Sequence, residues 1–383
     1  MEKFSKWRDP ATGIQPFLPP APPSTSPIFI AILTPFSAAH SIVRALLLAI
    51  DALLYLLLVH GVALLLTPIP PLHRIVSSIF TSITCRLALF LMGYWWIDTE
   101  TASSKRGAKG VAQISNISPK RGDLIIANWT SYIDALYLAF RHNPTFLLPV
   151  FSLLPDVPTT SDFGRKTGTG SANILTSTAN QPGLLGYMPV SLLTLLARTG
   201  NLPPTAAVPP EGMFKTLREA RRRSRGPVCL FPEGTTSNGR AVLRFGDGVL
   251  AEEDVGEQAG IVWIKFFKHS PPTPFAASAV LPFPTPLRHL LFQTLYTPTP
   301  FQRRSLLVRT LHPSASPSSP SFLPSEILAA TPGGLAGVAK DGRGAMREAI
   351  GVVLAETGRV RRVGGMGWVE KKGFLDYWQS TRR

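Results

Sequence analysis

At 383 residues the chain is long for one domain and short for three. Apolar residues make up 45% of it, ample for a core, and its 37 prolines are about twice the usual share of ~5%, so many connections must be loop-like. The net charge of +16 with only 16% charged residues is an excess of Lys and Arg that suits an anionic membrane face or nucleic acid. No zinc-finger spacing, RNP-like aromatic strand or basic-region helix accompanies it, which argues against nucleic acid. Long apolar segments favour the membrane. The two cysteines, Cys85 and Cys229, sit in apolar stretches. No disulfide framework is indicated, and a reducing, cytosol-facing domain follows.

In chain order, residues 1–40 are rich in Pro, Ser and Thr and predict a disordered arm. No apolar core follows Lys3, Lys6 and Arg8, so the arm does not read as a cleavable signal. Ala45 to Leu66 predicts a membrane helix: its Leu, Ile and Val residues contribute about −7 kcal/mol on an insertion scale, against about +3 for Asp51 and less for His60. After a proline-rich turn (Thr67 to Arg74), a second membrane candidate runs from Ile75 to Ile97, with Arg86 at its middle and Tyr94, Trp95 and Trp96 as an interfacial belt. Two geometries stay open. One is a spanning hairpin; the other dips into one leaflet, with Asp51, His60 and Arg86 paired inside or snorkelling. Either way the ends share a side, and Lys105, Arg106, Lys109, Lys120 and Arg121 place the rest of the chain in the cytosol. The chain thus divides into a Pro-rich arm (1–40), a membrane helical hairpin (41–97) and an α/β domain (98–383).

In that domain, Leu124 to Ala127 predicts a strand and Ser131 to Phe140 a helix. Leu184 to Ala197 predicts an apolar helix too short to span, and Glu211 to Arg225 a basic helix. Pro227 to Phe231, Ile261 to Phe267, Phe275 to Leu281 and Leu306 to Thr310 predict strands. Ser314 to Pro324 is a Pro/Ser loop. Met346, Ile350, Val353 and Leu354 mark the apolar face of a helix, and Trp368 to Trp378 is a basic, aromatic tail. Alternating helices and strands predict an α/β layer fold.

The most informative stretch is Phe231-Pro232-Glu233-Gly234-Thr235-Thr236-Ser237, which follows a strand and precedes the tight-turn pair Asn238-Gly239. It brings a carboxylate, a permissive Gly and three hydroxyls to one rim, a set suited to gripping phosphate and a polarised carbonyl. About a hundred residues upstream, Asn128-Trp129-Thr130-Ser131-Tyr132-Ile133-Asp134 leaves a strand and enters a helix. These segments resemble the FPEGTxS and N-H-x-S-x-x-D signatures of the PlsC-like glycerolipid acyltransferases, which move a fatty acyl group from coenzyme A to a lysophospholipid. The closing stretch DGRGAMREAIG to GFLDYW is similar to the fungal lysophosphatidate:oleoyl-CoA acyltransferase branch.

The resemblance implies a mixed β-sheet flanked by helices, tethered by the N-terminal hairpin. It implies acyl-CoA as co-substrate with no bound cofactor or metal, and membrane lipids and a lysophospholipid, lysophosphatidic acid foremost, as partners. The expected place is the cytosolic face of the endoplasmic reticulum membrane or a lipid droplet. Asp134 and Glu233 are the implied catalytic residues. Asn128, Trp129, Ser131, Arg198, Gly234, Thr235, Thr236 and Arg240 are the implied substrate-binding residues, Arg198 standing in for a phosphate-binding Arg that Asn201-Leu202-Pro203-Pro204 lacks. Trp129 occupies the place of the family's basic His, and indole cannot take a proton. Three expectations follow from that: Asp134 as a weak base, a His recruited from elsewhere (His142, His269, His289 or His312), or Trp129 closing an apolar acyl slot in a protein that binds lipid without turning it over.

Overall fold

A computed structural model describes the chain except residues 1–3, 10, 25, 103–117, 154–181, 256–259, 297–303, 335–337, 339–341 and 382–383. Lys105, Arg106 and Lys109, invoked above for orientation, lie outside the described residues. The N-terminal hairpin consists of α1 (Pro27–Tyr55), continued by a π-turn (Leu56–Val62) and a 3₁₀ turn (Ala63–Leu66), and α2 (Pro70–Leu91). Proline at the first helical position starts both helices, where its missing N–H costs nothing. Ala31–Val62 and Pro71–Leu91 are long and apolar enough to cross a membrane.

The strands are β1 (Ile97–Ala102), β2 (Leu124–Ala127), β3 (Thr145–Ser152), β4 (Leu184–Val190), β5 (Thr205–Ala206), β6 (Val228–Leu230), β7 (Ala241–Leu243), β8 (Val262–His269), β9 (Leu306–Leu311) and β10 (Arg361–Val363). The main sheet has the order β1-β9-β8-β2-β6-β3-β4, with β5 alongside β3. Its centre, β8-β2-β6-β3, is all parallel, while β9 and β4 run against it. This is the mixed sheet expected. Strand alternation feeds two cores: Ile125, Ala127 and Cys229 face one, Leu124, Ile126 and Leu230 the other. The first core packs α2, α3 (Tyr132–His142) and α4 (Leu192–Ala197); the second packs α5 (Leu217–Arg223), α8 (Pro324–Ala329) and α9 (Ala345–Gly358). The short helices α6 (Glu252–Val255) and α7 (Pro286–His289) lie in the connections. A third, smaller cluster joins the N-terminal arm to α10 (Trp368–Ser380).

Several expectations need correction. The arm expected to be disordered is packed: Trp7 and Phe17 are buried against Phe374, and the first hairpin helix begins at Pro27 rather than beyond residue 40. Aromatic side chains of the arm supply a contact that a proline-rich composition conceals. Leu184 to Ala197 is not one helix but strand β4 followed by α4, split at Ser191, which caps α4 by accepting from Thr194 N. The basic helix shrinks to α5, and its Arg221 is buried, donating to the carbonyls of Gly122 and Asp254. Phe275 to Leu281 forms no strand beyond an isolated bridge. Arg86 does not pair with Asp51; it donates to the carbonyls of Tyr94 and Trp95 just past α2.

Candidate active site

The carboxyl ends of β8, β2 and β6 lie side by side on one rim. In open parallel sheets that rim is where ligands bind. Each strand delivers one part of the site. From β2 the chain passes Trp129 and enters α3 at Ser131, whose Oγ accepts from Ile133 N at the helix start. Asp134 is fully buried there: its Oδ2 accepts from Thr130 N (2.8 Å), Thr130 Oγ1 (2.8 Å) and Ser131 N (2.9 Å). Three donors hold that carboxylate in one orientation, and its other oxygen is left for a partner.

That partner is His269. β8 runs four residues beyond the end of its pairing with β2 at Lys265, and its last residue places Nε2 at 2.7 Å from Asp134 Oδ1, with the ring 2% exposed. With Oδ1 as the acceptor, Nε2 is the donating nitrogen and Nδ1 is the one left facing the site. Nδ1 faces the hydroxyl of Tyr94 at 3.5 Å. Burial pushes the Tyr94 phenol up to about 12, so it stays a neutral donor. Asn128 fixes the height of β8: it donates to Phe267 O (3.0 Å) and accepts from Phe267 N (2.7 Å). Both ends of its amide are therefore engaged two residues before His269.

The other expected histidines are elsewhere. His142 lies at the far end of α3, its pKa pushed down to about 3 chiefly by burial. His289 donates from Nε2 to Ser278 O (2.9 Å), and its Nδ1 meets the hydroxyls of Tyr132 and Thr294. Burial holds it down at about 4, a neutral structural imidazole. His312 caps a short turn through Ser314.

From β6 come Phe231 and the Glu233 loop. Trp129 stacks on Phe231 with ring centroids 5.0 Å apart, so the indole fills the room a His would need to leave open. The two loops are tied together: Ser237 N donates to Trp129 O (3.1 Å), Leu281 N to Thr130 O (2.8 Å) and Thr236 Oγ1 to Leu281 O (2.6 Å). Gly234 has a φ of +68°, a left-handed turn that favours glycine. Glu233 is fully buried; Oε1 accepts from Leu243 N (3.0 Å) and Oε2 has no hydrogen-bond partner. Burial pushes its pKa up to about 8, the Leu243 amide opposes that, and the Asp134 charge adds to it.

Thr235 and Thr236 are held from two sides. Thr235 Oγ1 donates to Asn201 O (2.8 Å), and the buried amino group of Lys371 on α10, its pKa held well below the usual lysine range by burial, donates to Thr235 Oγ1 (2.8 Å), Thr236 O (2.8 Å) and Thr236 Oγ1 (3.3 Å). Gly200 accounts for the turn that brings Asn201 there: its φ is +91°, and a Cβ would lie 1.8 Å from Phe283 O. Arg198 is half-buried at the end of α4, and Arg240 is exposed at the turn tip. Neither makes a described contact with Asp134, His269 or Glu233.

Beneath the rim an apolar cavity of about 370 Å³ opens between α1, α2, α3, α4 and α7, with Leu48, Ala88, Met92, Tyr132, Leu136 and Leu290 in its walls. Tyr132 joins it to the Asp134 turn. Sequence reasoning named His269 only as one of four histidines; the strand-end position two residues beyond Phe267 was the available signal, and its pairing with Asp134 needed the sheet order.

The fold and the site define an α/β protein with a buried His–Asp pair and a membrane-type hairpin. In sequence the chain is 26% identical over 250 residues, 64% of this chain and 67% of the other, to a Schizosaccharomyces pombe protein named "putative lysophosphatidic acid:oleoyl-CoA acyltransferase". This distant likeness supports an acyltransferase of the lysophospholipid kind. No family model matches the chain, and no solved structure matches it.

Proposed function

We propose that the protein transfers an acyl group from acyl-CoA to the free hydroxyl of a lysophospholipid, lysophosphatidic acid foremost, at a membrane surface. The observation that carries this is the 2.7 Å bond between His269 Nε2 and Asp134 Oδ1, which supplies from β8 the base that position 129 lacks. His269 Nδ1 takes the acceptor's hydroxyl proton as its oxygen attacks the thioester carbonyl; the C–S bond breaks, and the thiolate leaves with the proton returned from Nδ1. Asp134 orients the ring and stabilises the imidazolium, as the carboxylate of a triad does. The cavity below Tyr132 accommodates apolar chain. The basic surplus of +16 favours an anionic surface such as the cytosolic face of the endoplasmic reticulum or a droplet monolayer.

The test is transfer of labelled oleoyl-CoA to lysophosphatidic acid by the full chain in detergent. His269→Gln should lower kcat/KM by about 10²–10⁴-fold, the usual worth of a general base. Undiminished transfer in that variant sinks the assignment. A second reading, lipid binding without turnover, is favoured by the Trp129–Phe231 stack and the near-complete burial of the His269 ring. Wild-type transfer no greater than that of His269→Gln, with lysophospholipid binding retained, would select it.

A further inference from the structure

The acceptor's phosphate needs a cation, and neither Arg198 nor Arg240 is described in contact with the His–Asp pair. Another guanidinium is buried one residue away from that pair, through Tyr94. Arg304 is 3% exposed. Its backbone N–H donates to Gly93 O (3.2 Å), and its side chain donates to Gln293 O (2.9 Å) and Ala277 O (3.3 Å) and bonds the Tyr94 side chain. Its Nε has no partner, and among the described residues no carboxylate lies within ion-pair distance of it. A buried guanidinium without a counter-charge loses stability that a bound anion restores.

The segments lining the apolar cavity run on to the groups that hold Arg304. On α1, Leu48, Ala52 and Tyr55 line the cavity at helical spacing, as Asp51 does between them. On α2 and beyond, Ala88 and Met92 line it and the next residues, Gly93 and Tyr94, bond Arg304. Leu290 lines it from the other side, three residues before the carbonyl of Gln293 that Arg304 engages. The slot is therefore mostly apolar, Asp51 apart, and the segments that line it lead on to the groups that hold Arg304 and to Tyr94, which meets His269 Nδ1.

We infer that Arg304 forms the phosphate site for the lysophospholipid acceptor, whose single chain lies in the slot beside the hairpin helices. This rests on the transferase reading for its chemistry, though the site itself requires only a one-chain phosphomonoester. Seated so, the acceptor's glycerol bridges the chain slot and Arg304, and its hydroxyl is brought to His269. Coenzyme A also carries phosphates, so the test must separate the two sources.

The experiment measures KM for lysophosphatidic acid and for oleoyl-CoA with wild type, Arg304→Gln, Arg304→Lys and Arg198→Gln. Losing a charge-assisted contact should raise KM for lysophosphatidic acid about 10–100-fold in Arg304→Gln. KM for oleoyl-CoA should not move, and Arg304→Lys should recover part of the loss, keeping the charge without the fork. The site assignment is overturned by an unchanged acceptor KM, by a rise for oleoyl-CoA instead, or by the same rise appearing in Arg198→Gln alone. If wild type transfers nothing, the transferase reading fails. Calorimetric binding of lysophosphatidic acid against monooleoylglycerol then decides the site: a wild-type preference for the phosphate lost in Arg304→Gln upholds it, and no such preference overturns it.

Discussion

At the scale of single residues the site is governed by what burial does to polar groups. Trp129 keeps its ring on Phe231 while its indole N–H has no hydrogen-bond partner, and an unmet buried donor costs about 1–3 kcal/mol. Trp129→Phe keeps the stack and deletes the orphan, so thermal unfolding should occur at the same temperature or higher. Trp129→Ala instead opens a cavity and should cost about 3–5 kcal/mol. A Trp129→Phe chain as unstable as Trp129→Ala would show that the indole nitrogen is needed. Glu233 carries the opposite problem, a carboxyl whose pKa burial raises from 4.5 to about 8. Its protonated form favours the fold. That stability is fully present below the unfolded value of about 4.5 and is lost as pH rises through about 8. Glu233→Gln, a neutral shape-mimic, should therefore match wild type near pH 4.5 and become progressively more stable than it up to pH 8. A gap in melting temperature that does not change with pH would contradict a buried neutral acid.

At the scale of elements, the C-terminal helix belongs to the site. Trp368, Lys371, Phe374 and Leu375 form the buried face of α10, and Lys371 is the only donor from that helix described as reaching the Thr235–Thr236 loop. Packed against α10, the arm grips Asn238: its N–H donates to Pro16 O (2.8 Å) and its Nδ2 to Gln15 O (2.6 Å) and Leu18 O (2.9 Å). Lys371→Met keeps the apolar stem and removes three hydrogen bonds. Amide hydrogens at residues 234–237 should then exchange at least about 10-fold faster and acyl transfer should fall, while exchange in the central strands holds. Unchanged exchange in the loop would make Lys371 a bystander. None of this was legible in the sequence, where Lys371 reads as one of several solvated charges in a basic tail. What was legible had strong local cause: β2, β6, β8 and β9 are short apolar runs, and Ser131 with Asp134 announces the start of α3. The β4–α4 segment misled because Leu-rich sequence fits either period, and only the pairing of Phe146–Phe151 with Leu184–Val190 selects strand. His269 was invisible as a partner of Asp134 because the two are 135 positions apart and meet only through the parallel register of β2 and β8.

At the scale of the molecule, the hairpin is built into the domain rather than tethered to it. Cys85, Ala88 and Leu89 of α2 and Met92 just past it are core residues beside α3, and Ser82 Oγ donates to Phe140 O (2.9 Å) at the far end of that helix. Near the start of α2, Arg74 lies against Gly226, next to the amino end of β6. The hairpin therefore runs along the height of the sheet, from the strands' carboxyl rim to their amino ends. Its outer side exposes Ile42, Leu46, Leu53, Ile75, Ile79 and Ile83, while Leu193 and Leu287, from α4 and α7, are exposed at the apolar cavity and Phe292 is exposed in the turn after α7. A hairpin crossing the bilayer below a free-standing domain would leave those last three in water. An apolar side shared by hairpin and domain fits shallow embedding in one leaflet, where large exposed apolar patches meet lipid. Nitroxide labels at Leu53→Cys and Leu287→Cys, in protein reconstituted into vesicles containing anionic lipid, should both be relaxed by oxygen in the acyl region and shielded from aqueous nickel chelate. A Leu287 label open to the aqueous reagent beside a shielded Leu53 label would lift the domain off the membrane and leave the hairpin as a simple anchor.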